Sequence, residues 1–371
     1  MKKTILNGFF YYLNVNGYSA ILVDNKSILK EGRVTKMKKK ETVTIYDVAR
    51  EASVSMATVS RAINHNHNVK PETEKKVLDV VKRLNYRPND VARGLASKKT
   101  TTVGVIIPNV TNSYFAALAR GIDDIAEMYQ YNIILTNSDG DEKKELKALN
   151  TLYSKQVDGL IFMGNEISEA VRSDMSNERI PVVLAGSVDS QNQFNSVNID
   201  YRKAVYAQTN ELLKNGNDRV AFVASHLNRS INKDYRIEGY KDALRDAGIP
   251  FRKTLLFEAN EATYDSGYKL RNKLVQEEVT AAIVSNDDVA AGVMNSMSDS
   301  GINVPEQFEV ATSDNTKLTE MTRPMLSTIT QPLYDIGAVS MRLLTKLMKN
   351  EEVSERNILL PFGLKDRNST K

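Results

Sequence analysis

The sequence predicts an α/β protein: a small helical head and a hinge helix, followed by a two-lobed core of doubly wound parallel sheets. Three observations predict it. Residues 44–84 hold three short helical segments in tandem, each with an apolar stripe. From residue 103 onward, continuous apolar strand runs alternate with helices, the pattern of parallel sheets covered on both faces. That alternation occurs twice, in halves of similar length, which predicts two lobes around a cleft.

Thr44 is placed to cap the first helix, with Asp47 in the first turn, where negative charge suits the helix dipole. Val48, Ala49 and Ala52 form its inward stripe. Ser53 and Val54 make the turn. Ser55 caps a second helix running from Met56 to about Asn64, with Val59 and Ile63 facing inward. Met56, Ala57, Thr58, Ser60 and Arg61 are left on or near its outer face. These types suit a helix laid in the major groove of DNA. Arg grips guanine bidentately, Thr bonds base edges or phosphate, and Ala or Met touches a thymine methyl. A third helix starts at Pro71, a good first-turn residue, and Val77, Val80, Val81 and Leu84 close a small core. An ordinary three-helix bundle with no DNA role satisfies the same pattern.

Residues 86–99 predict a short helix after Pro88 and then a basic, polar linker. Gly94 weakens that helix in isolation. A weak helix suits a hinge that orders when paired with its twin on DNA. Leu95, beside Arg93 and Ala96, resembles an apolar wedge for a minor-groove base step. Packing of Leu95 against the following domain is the alternative.

The 371 residues leave room for two or three domains. The chain has no Cys, which excludes disulfides and cysteine-based metal sites and fits a cytoplasmic protein. Net charge is +4 but unevenly placed. Residues 37–99 carry 14 Lys and Arg against 7 Asp and Glu; residues 1–36 carry 6 against 2, which leaves a net −7 for the rest. A basic head on an acidic body concentrates DNA affinity at one end. The first 36 residues contain a short apolar run, 5–13, broken by Asn7 and Gly8 and too short to span a membrane. They are expected to lie upstream of a true start at Met37; the intact mass of the native gene's product tests this.

In the core, strand runs are expected at 103–107, 132–136, 159–163, 181–185, 219–224, 281–285 and 308–312. Helices are expected near 113–129, 142–155 and 235–247 and from Asp287. Ligands of such folds bind at the carboxyl ends of the strands. The expected effector-cleft residues are therefore Asn112, Ser113, Asp287, Asp314 and Asn315, with Arg236 as an anion holder or, alternatively, a surface helix residue.

Ile45-Tyr-Asp-Val-Ala, Ser55-Met-Ala-Thr-Val-Ser-Arg, Tyr86-Arg-Pro-Asn and Ala92-Arg-Gly-Leu carry a specific resemblance. From about Thr44 to its end the chain resembles the LacI/GalR family of repressors. The stretches 92–108, 128–135 and 331–348 narrow this to the catabolite-control members of that family in Gram-positive bacteria. The resemblance implies a helix-turn-helix DNA-binding domain over 37–87 and a hinge over 88–100. It also implies a periplasmic-binding-protein-like core, with one subdomain at 101–200 plus 331–350 and the other at 201–330 plus 351–371. It extends the expected DNA contacts to Thr44, Tyr46, Ser55, Asn68, Tyr86, Asn89, Arg93, Leu95 and Ala96. The sequence departs from the family at Thr312 and Ser313, where Gly-Phe is usual, and so lacks an aromatic wall for a sugar.

The same resemblance implies a protein corepressor, the phosphocarrier HPr phosphorylated on serine. Its docking face maps onto Tyr129 and Tyr131 and onto Tyr334, Asp335, Arg342, Thr345 and Lys346. Asp335, Arg342 and Lys346 recur at intervals of seven and four, so they share one helix face. Arg342 and Lys346 offer positive charge to a phosphoserine. A solvated polar face is the plainer reading of the same spacing. Met341, Leu344 and Met348 are expected to face core or a dimer partner.

Enzyme signatures are absent. The chain has no phosphate loop, no G-x-G-x-x-G after a strand and no G-x-S-x-G elbow. His65 and His67 lie in a polar loop, without Cys or a third His nearby in sequence, so no metal is expected. The expected protein is a homodimeric regulator that binds a near-palindromic operator, with no membrane association, no bound cofactor and room for a sugar phosphate as effector. A local repressor governed by a sugar or nucleoside in the cleft is the alternative. A plain solute-binding protein conflicts with the basic head.

Overall fold

Short polar caps and apolar stripes set the elements this chain forms. The computed structural model describes residues 43–64, 68–87, 99–164 and 167–371. The expectations for residues 1–36, for His65 and His67, and for the hinge helix with Asn89, Arg93, Leu95 and Ala96 lie outside the described residues. The chain divides after Asn89 into two units, each described by itself.

The first unit carries α1 (Ile45–Ala52), α2 (Met56–Ile63) and α3 (Pro71–Leu84). Asp47 closes the first turn of α1 by accepting from the Thr44 N–H at 2.9 Å and its hydroxyl at 2.8 Å. Ser53 takes a left-handed conformation, φ 53°, and the Val54 N–H returns to the Ala49 carbonyl at 3.0 Å, so α1 stops there. Ser55 then caps α2, accepting from the Thr58 N–H. Val48, Ala52, Val59, Ala62 and Val77 are fully buried between the three helices. Ala62 takes the inner position of α2 and Ile63 packs at the margin of the core.

The second unit contains two six-stranded sheets. The first lobe opens with β1 (Thr102–Ile107), α4 (Ser113–Met128), β2 (Asn132–Asn137), α5 (Glu142–Ser154), β3 (Gly159–Phe162), α6 (Glu169–Asn177), β4 (Val182–Ala185) and β5 (Asn195–Ile199). The chain then builds α7 (Tyr201–Lys214), β6 (Val220–Ser225), a π-helical turn (Ile231–Arg236), α8 (Ile237–Asp246), β7 (Leu256–Ala259), α9 (Tyr264–Tyr268) and α10 (Arg271–Gln276). It continues through β8 (Ala281–Val284), α11 (Asp287–Ser298), β9 (Glu309–Thr312), α12 (Leu318–Met321) and β10 (Ser327–Thr330). It closes with α13 (Leu333–Met348), β11 (Asn357–Leu360) and β12 (Gly363–Lys365). Strand orders are β11-β5-β4-β3-β1-β2 and β12-β10-β9-β8-β6-β7. Every pairing is parallel except β12 with β10, which is antiparallel. Parallel strands need long crossovers, and the helices supply them while covering both faces.

One boundary is corrected. The segment 351–371 was expected in the second lobe, yet β11 lies parallel to β5 and extends the first sheet; only from β12 does the chain join the second. The chain therefore crosses between lobes after β5, after β10 and after β11. Among the described residues no helix is long and apolar enough to cross a membrane.

Helices α4 and α13 cover one face of the first sheet and touch backbone to backbone. A Cβ added at Gly121 would stand 2.0 Å from the Tyr334 carbonyl oxygen, and one at Gly337 would stand 2.0 Å from that of Leu118. Leu118, Ile122, Ile336 and Met341 are fully buried beside this crossing. The backbones cannot yield as a flexible side chain does, so Gly121→Ala is expected to cost about 1–3 kcal/mol, the usual range for overpacking. Urea unfolding of the full chain checks this; undiminished stability would contradict so close a crossing.

Candidate DNA-binding face, interlobe cleft and docking face

On the head, Tyr46 is 66% exposed and Met56 41%, with Ala57, Ser60 and Arg61 exposed on the same helix as Met56. Thr58 is half-buried because its hydroxyl pairs with the Ser55 cap at 2.9 Å. Thr44 also spends its hydroxyl locally, on Asp47. The Thr44 N–H and hydroxyl, aided by Arg50, hold the Asp47 carboxyl below its ordinary range. Asn68 is exposed, whereas Tyr86 is half-buried against the head core. Arg83 ties α3 to α1 through Glu51 at 2.7 Å. The outer face of α2 is thus small, polar or flexible, with the one cation Arg61 and no carboxylate along that helix.

In the second unit, residues at the carboxyl ends of β1, β4, β6, β8 and β9 enclose a cleft of about 70 Å³. Asn112, Tyr114, Phe115 and Gly186 come from the first lobe; Asn232, Arg236, Asn286 and Asp314 come from the second. Small-molecule sites usually measure roughly 300–1,000 Å³, so this closed cleft has room only for something far smaller than a sugar. Arg236 is 8% exposed, which removes the surface-residue alternative. Its guanidinium lies 5.2 Å from the Tyr201 ring centre and donates to the Asn232 Oδ1 at 3.1 Å. Asp314 accepts from the Asn286 amide at 3.1 Å. Burial and the neighbouring Asp287 push the Asp314 carboxyl well up, against the pull of Arg236.

Three expected cleft residues are corrected. Asp287 is buried and saturated: it accepts from the Thr312 and Thr316 hydroxyls, both at 2.8 Å, and from the Thr316 N–H at 2.7 Å. It binds a loop together and does not face the cleft. Asn315, at φ 52°, accepts at its side-chain Oδ1 from the Arg367 guanidinium at 3.1 Å. Ser113 is exposed, since the Asn112 cap turns the chain before it. Sequence reasoning missed Tyr114, Phe115, Asn232 and Asn286. Asn286 stands one residue from the position chosen, and its cap role before Asp287 was the available signal. Thr312 and Ser313 are explained by polar ties, the first to Asp287 and the second to the Ser285 carbonyl at 2.9 Å.

On α13, Arg342 and Lys346 are exposed one turn apart. They share a groove of about 850 Å³ with Tyr129, Val339, Leu343 and the segment 352–358. The Lys349 ammonium sits 5.2 Å from the Tyr129 ring centre. Tyr334 and Asp335 are exposed at the start of the helix, and the Tyr334 hydroxyl donates to Asp124 at 3.0 Å. Thr345 is corrected: it is 2% exposed and its hydroxyl donates to the Met341 carbonyl, so it faces inward with Met341 and Leu344. Met348 is half-buried. Tyr131 is separated from Tyr129, half-buried in a different hollow with Thr100, Asp158 and Met348. No group of carboxylates and histidines that could hold a metal occurs among the described residues.

Glu145 on α5 is buried, and its charge is felt by Arg229 in the segment after β6 of the other lobe. Burial pushes its carboxyl up to about 7, with Asp141 and Glu142 adding to the rise and Arg229 opposing it. The folded chain therefore keeps a proton that the unfolded chain releases near 4.5. The buried carboxyl therefore weakens the fold as pH rises from 4.5 to about 7, and its effect is constant above that. Glu145→Gln is expected to flatten the stability profile across that window and to be the more stable chain above it. Denaturant midpoints at several pH values check this, and an unchanged slope would contradict it.

Comparison with known proteins places these features in a family. Residues 44–89 match the family model described as bacterial regulatory proteins, lacI family. Residues 100–367 match that of periplasmic binding proteins and the sugar binding domain of the LacI family. Catabolite control protein A of Streptococcus mutans is 53% identical over 331 residues, covering 89% of this chain and 99% of that protein. The crystal structure of transcription regulator CcpA of Lactococcus lactis superposes with a TM-score of 0.70 at 46% identity, over 73% of this chain and 99% of that one. A lac repressor dimer bound to operator superposes with a TM-score of 0.79 at 26% identity, over 89% of this chain and 99% of that one. The chain belongs to the LacI family of bacterial transcriptional regulators, not to the enzymes, and is similar to catabolite control protein A.

Proposed function

We propose that this regulator acts as a homodimer on near-palindromic operators in the cytoplasm, with serine-phosphorylated HPr as corepressor. The observation that carries the reading is the pair Arg342 and Lys346, exposed one turn apart beside Tyr129 in a groove of about 850 Å³. The interlobe cleft, at about 70 Å³, offers far less room to a small effector. A phosphoserine brings close to two negative charges and three acceptor oxygens, which an Arg and a Lys on one face answer with charge-assisted bonds. The outer face of α2 reads the major groove, and two heads related by a two-fold axis read two half-sites. The corepressor shifts the dimer toward its DNA-competent arrangement, and DNA tightens the corepressor by the same factor, about 1–3 kcal/mol in typical cases. Leu95 is the proposed minor-groove wedge. Arg236 and Asp314, buried at the cleft, favour a second reading in which a sugar, nucleoside or sugar phosphate opens it and sets DNA affinity.

One titration separates the two readings. Operator DNA selected by the protein from a random-sequence pool is titrated with the chain alone, with HPr, with serine-phosphorylated HPr and with a panel of sugars and sugar phosphates. Roughly 5- to 150-fold tighter binding with the phosphorylated carrier alone is expected. A response to small molecules only would sink the corepressor reading. In the same assay Leu95→Gly is expected to abolish selective binding and to leave salt-sensitive binding to random DNA; full operator affinity in that variant would contradict the wedge.

A further inference from the structure

The chain enters the core through three consecutive threonines, Thr100, Thr101 and Thr102, and all three spend their hydroxyls on that passage. The Thr100 N–H donates to Asp158 Oδ1 at 3.0 Å, and the Thr100 hydroxyl donates to the Gln156 carbonyl at 2.8 Å. The Thr101 and Thr102 hydroxyls both donate to the Thr100 carbonyl, at 2.8 and 3.0 Å. Just beyond, the Asn132 N–H donates to the Thr101 carbonyl and the Asp158 N–H to that of Thr102, both at 2.8 Å. Thr100 is thus tied at its N–H, its hydroxyl and its carbonyl before β1 begins. Thr101 lies in the left-handed region, φ 48°, where a β-branched side chain is strained. The bonds on either side hold it there. Asp158, just before β3, meets only Thr100 with its side chain among the described residues; its Oδ2 is buried and has no hydrogen-bond partner among them.

We infer that Asp158 is a positioning residue for operator recognition: it fixes the direction in which the chain leaves the first lobe for the hinge and the DNA-reading head. The inference rests on the operator reading above and adds to it a residue that does not touch DNA. A two-headed reader gains affinity by seating both heads at once. The second seating is governed by an effective concentration, which the stiffness and direction of the tether set. A tether held at the Thr100 N–H, hydroxyl and carbonyl, and passing through one fixed left-handed residue, leaves the core in one direction. Without the Asp158 acceptor the Thr100 N–H turns to water. Thr101 is then free to relax toward an extended conformation, which redirects every residue before it. Random DNA demands no defined spacing of the two heads, and its binding follows from the positive charge of the head.

The test titrates the full chain against the operator it selects from a random-sequence pool and against random DNA, read by fluorescence anisotropy. Asp158→Ala is expected to weaken operator binding roughly tenfold and to leave random-DNA binding within about twofold. Asp158→Asn keeps an oxygen for the Thr100 N–H and is expected to restore operator binding. Thr101→Gly loosens the same tether with Asp158 intact, and glycine accepts the left-handed turn without strain, so this variant keeps the fold. It is expected to weaken operator binding by roughly three- to tenfold. Operator binding that is unchanged in Asp158→Ala and Thr101→Gly, or that falls in parallel with random-DNA binding, overturns the positioning role and leaves the operator reading standing. An unaltered chain that selects no operator from the pool overturns both.

Discussion

The crossing of α4 and α13 at Gly121 and Gly337 is the contact on which the functional surfaces depend. Backbone meets backbone there, so the two helices have almost no freedom to slide. Helix α4 begins at the Asn112 cap in the cleft and ends at Tyr129 in the groove beside α13. Helix α13 carries Arg342 and Lys346 into that same groove. The cleft end of α4 and the groove thus belong to one tightly packed helix pair.

The second lobe shows how the chain accommodates buried charge. Asp287 is saturated by threonine donors, and Glu309, wholly buried, accepts from the amides of Asn215 and Asn217, both at 2.7 Å, and from the Lys371 N–H at 3.1 Å. A carboxyl group out of water is costly unless its oxygens are hydrogen-bonded, and these donors fill them, with the Lys371 ammonium also 3.8 Å from Glu309. Asp314 is answered less completely, by Asn286 and the nearby Arg236, and its carboxyl is raised accordingly. The groove beside α13 differs: Arg342, Lys346, Glu352 and Glu355 are exposed and the fold does not pair them among the described residues.

Legibility followed the chemistry of each segment. Strands such as β1, β3 and β8 are continuous apolar runs, and periodicity alone located them. β5 was missed because Asn195-Ser-Val-Asn-Ile looks like a loop. Its polar residues are buried only because Ser196 bonds Asn357 and Asn198 bonds the Ser187 carbonyl, both supplied from elsewhere in the chain. β11, the source of Asn357, was missed for another reason: Asn357-Ile-Leu-Leu is a four-residue run that stays partly exposed at the edge of the sheet. Thr345 was misplaced because the resemblance carried it over by position, whereas in this fold its hydroxyl turns back to the Met341 carbonyl and the residue is buried. Asp287 was chosen for its place after a strand, but the fold spends its carboxylate on Thr312 and Thr316, and it is Asn286, one residue earlier, that lines the cleft.

Residue types and spacing were enough for the strand-helix alternation of the main apolar strands, the capped helices of the head, the basic-to-acidic partition of charge and the helix that presents Arg342 and Lys346. These are local properties, set by residue type and by spacing along one segment. Long-range packing was needed to place β11 in the first sheet, to turn Asp287 and Thr345 inward and to fill most of the cleft with its own side chains. Each of those depends on which distant segments pack together, and that is settled by burial and by hydrogen bonding across the whole fold.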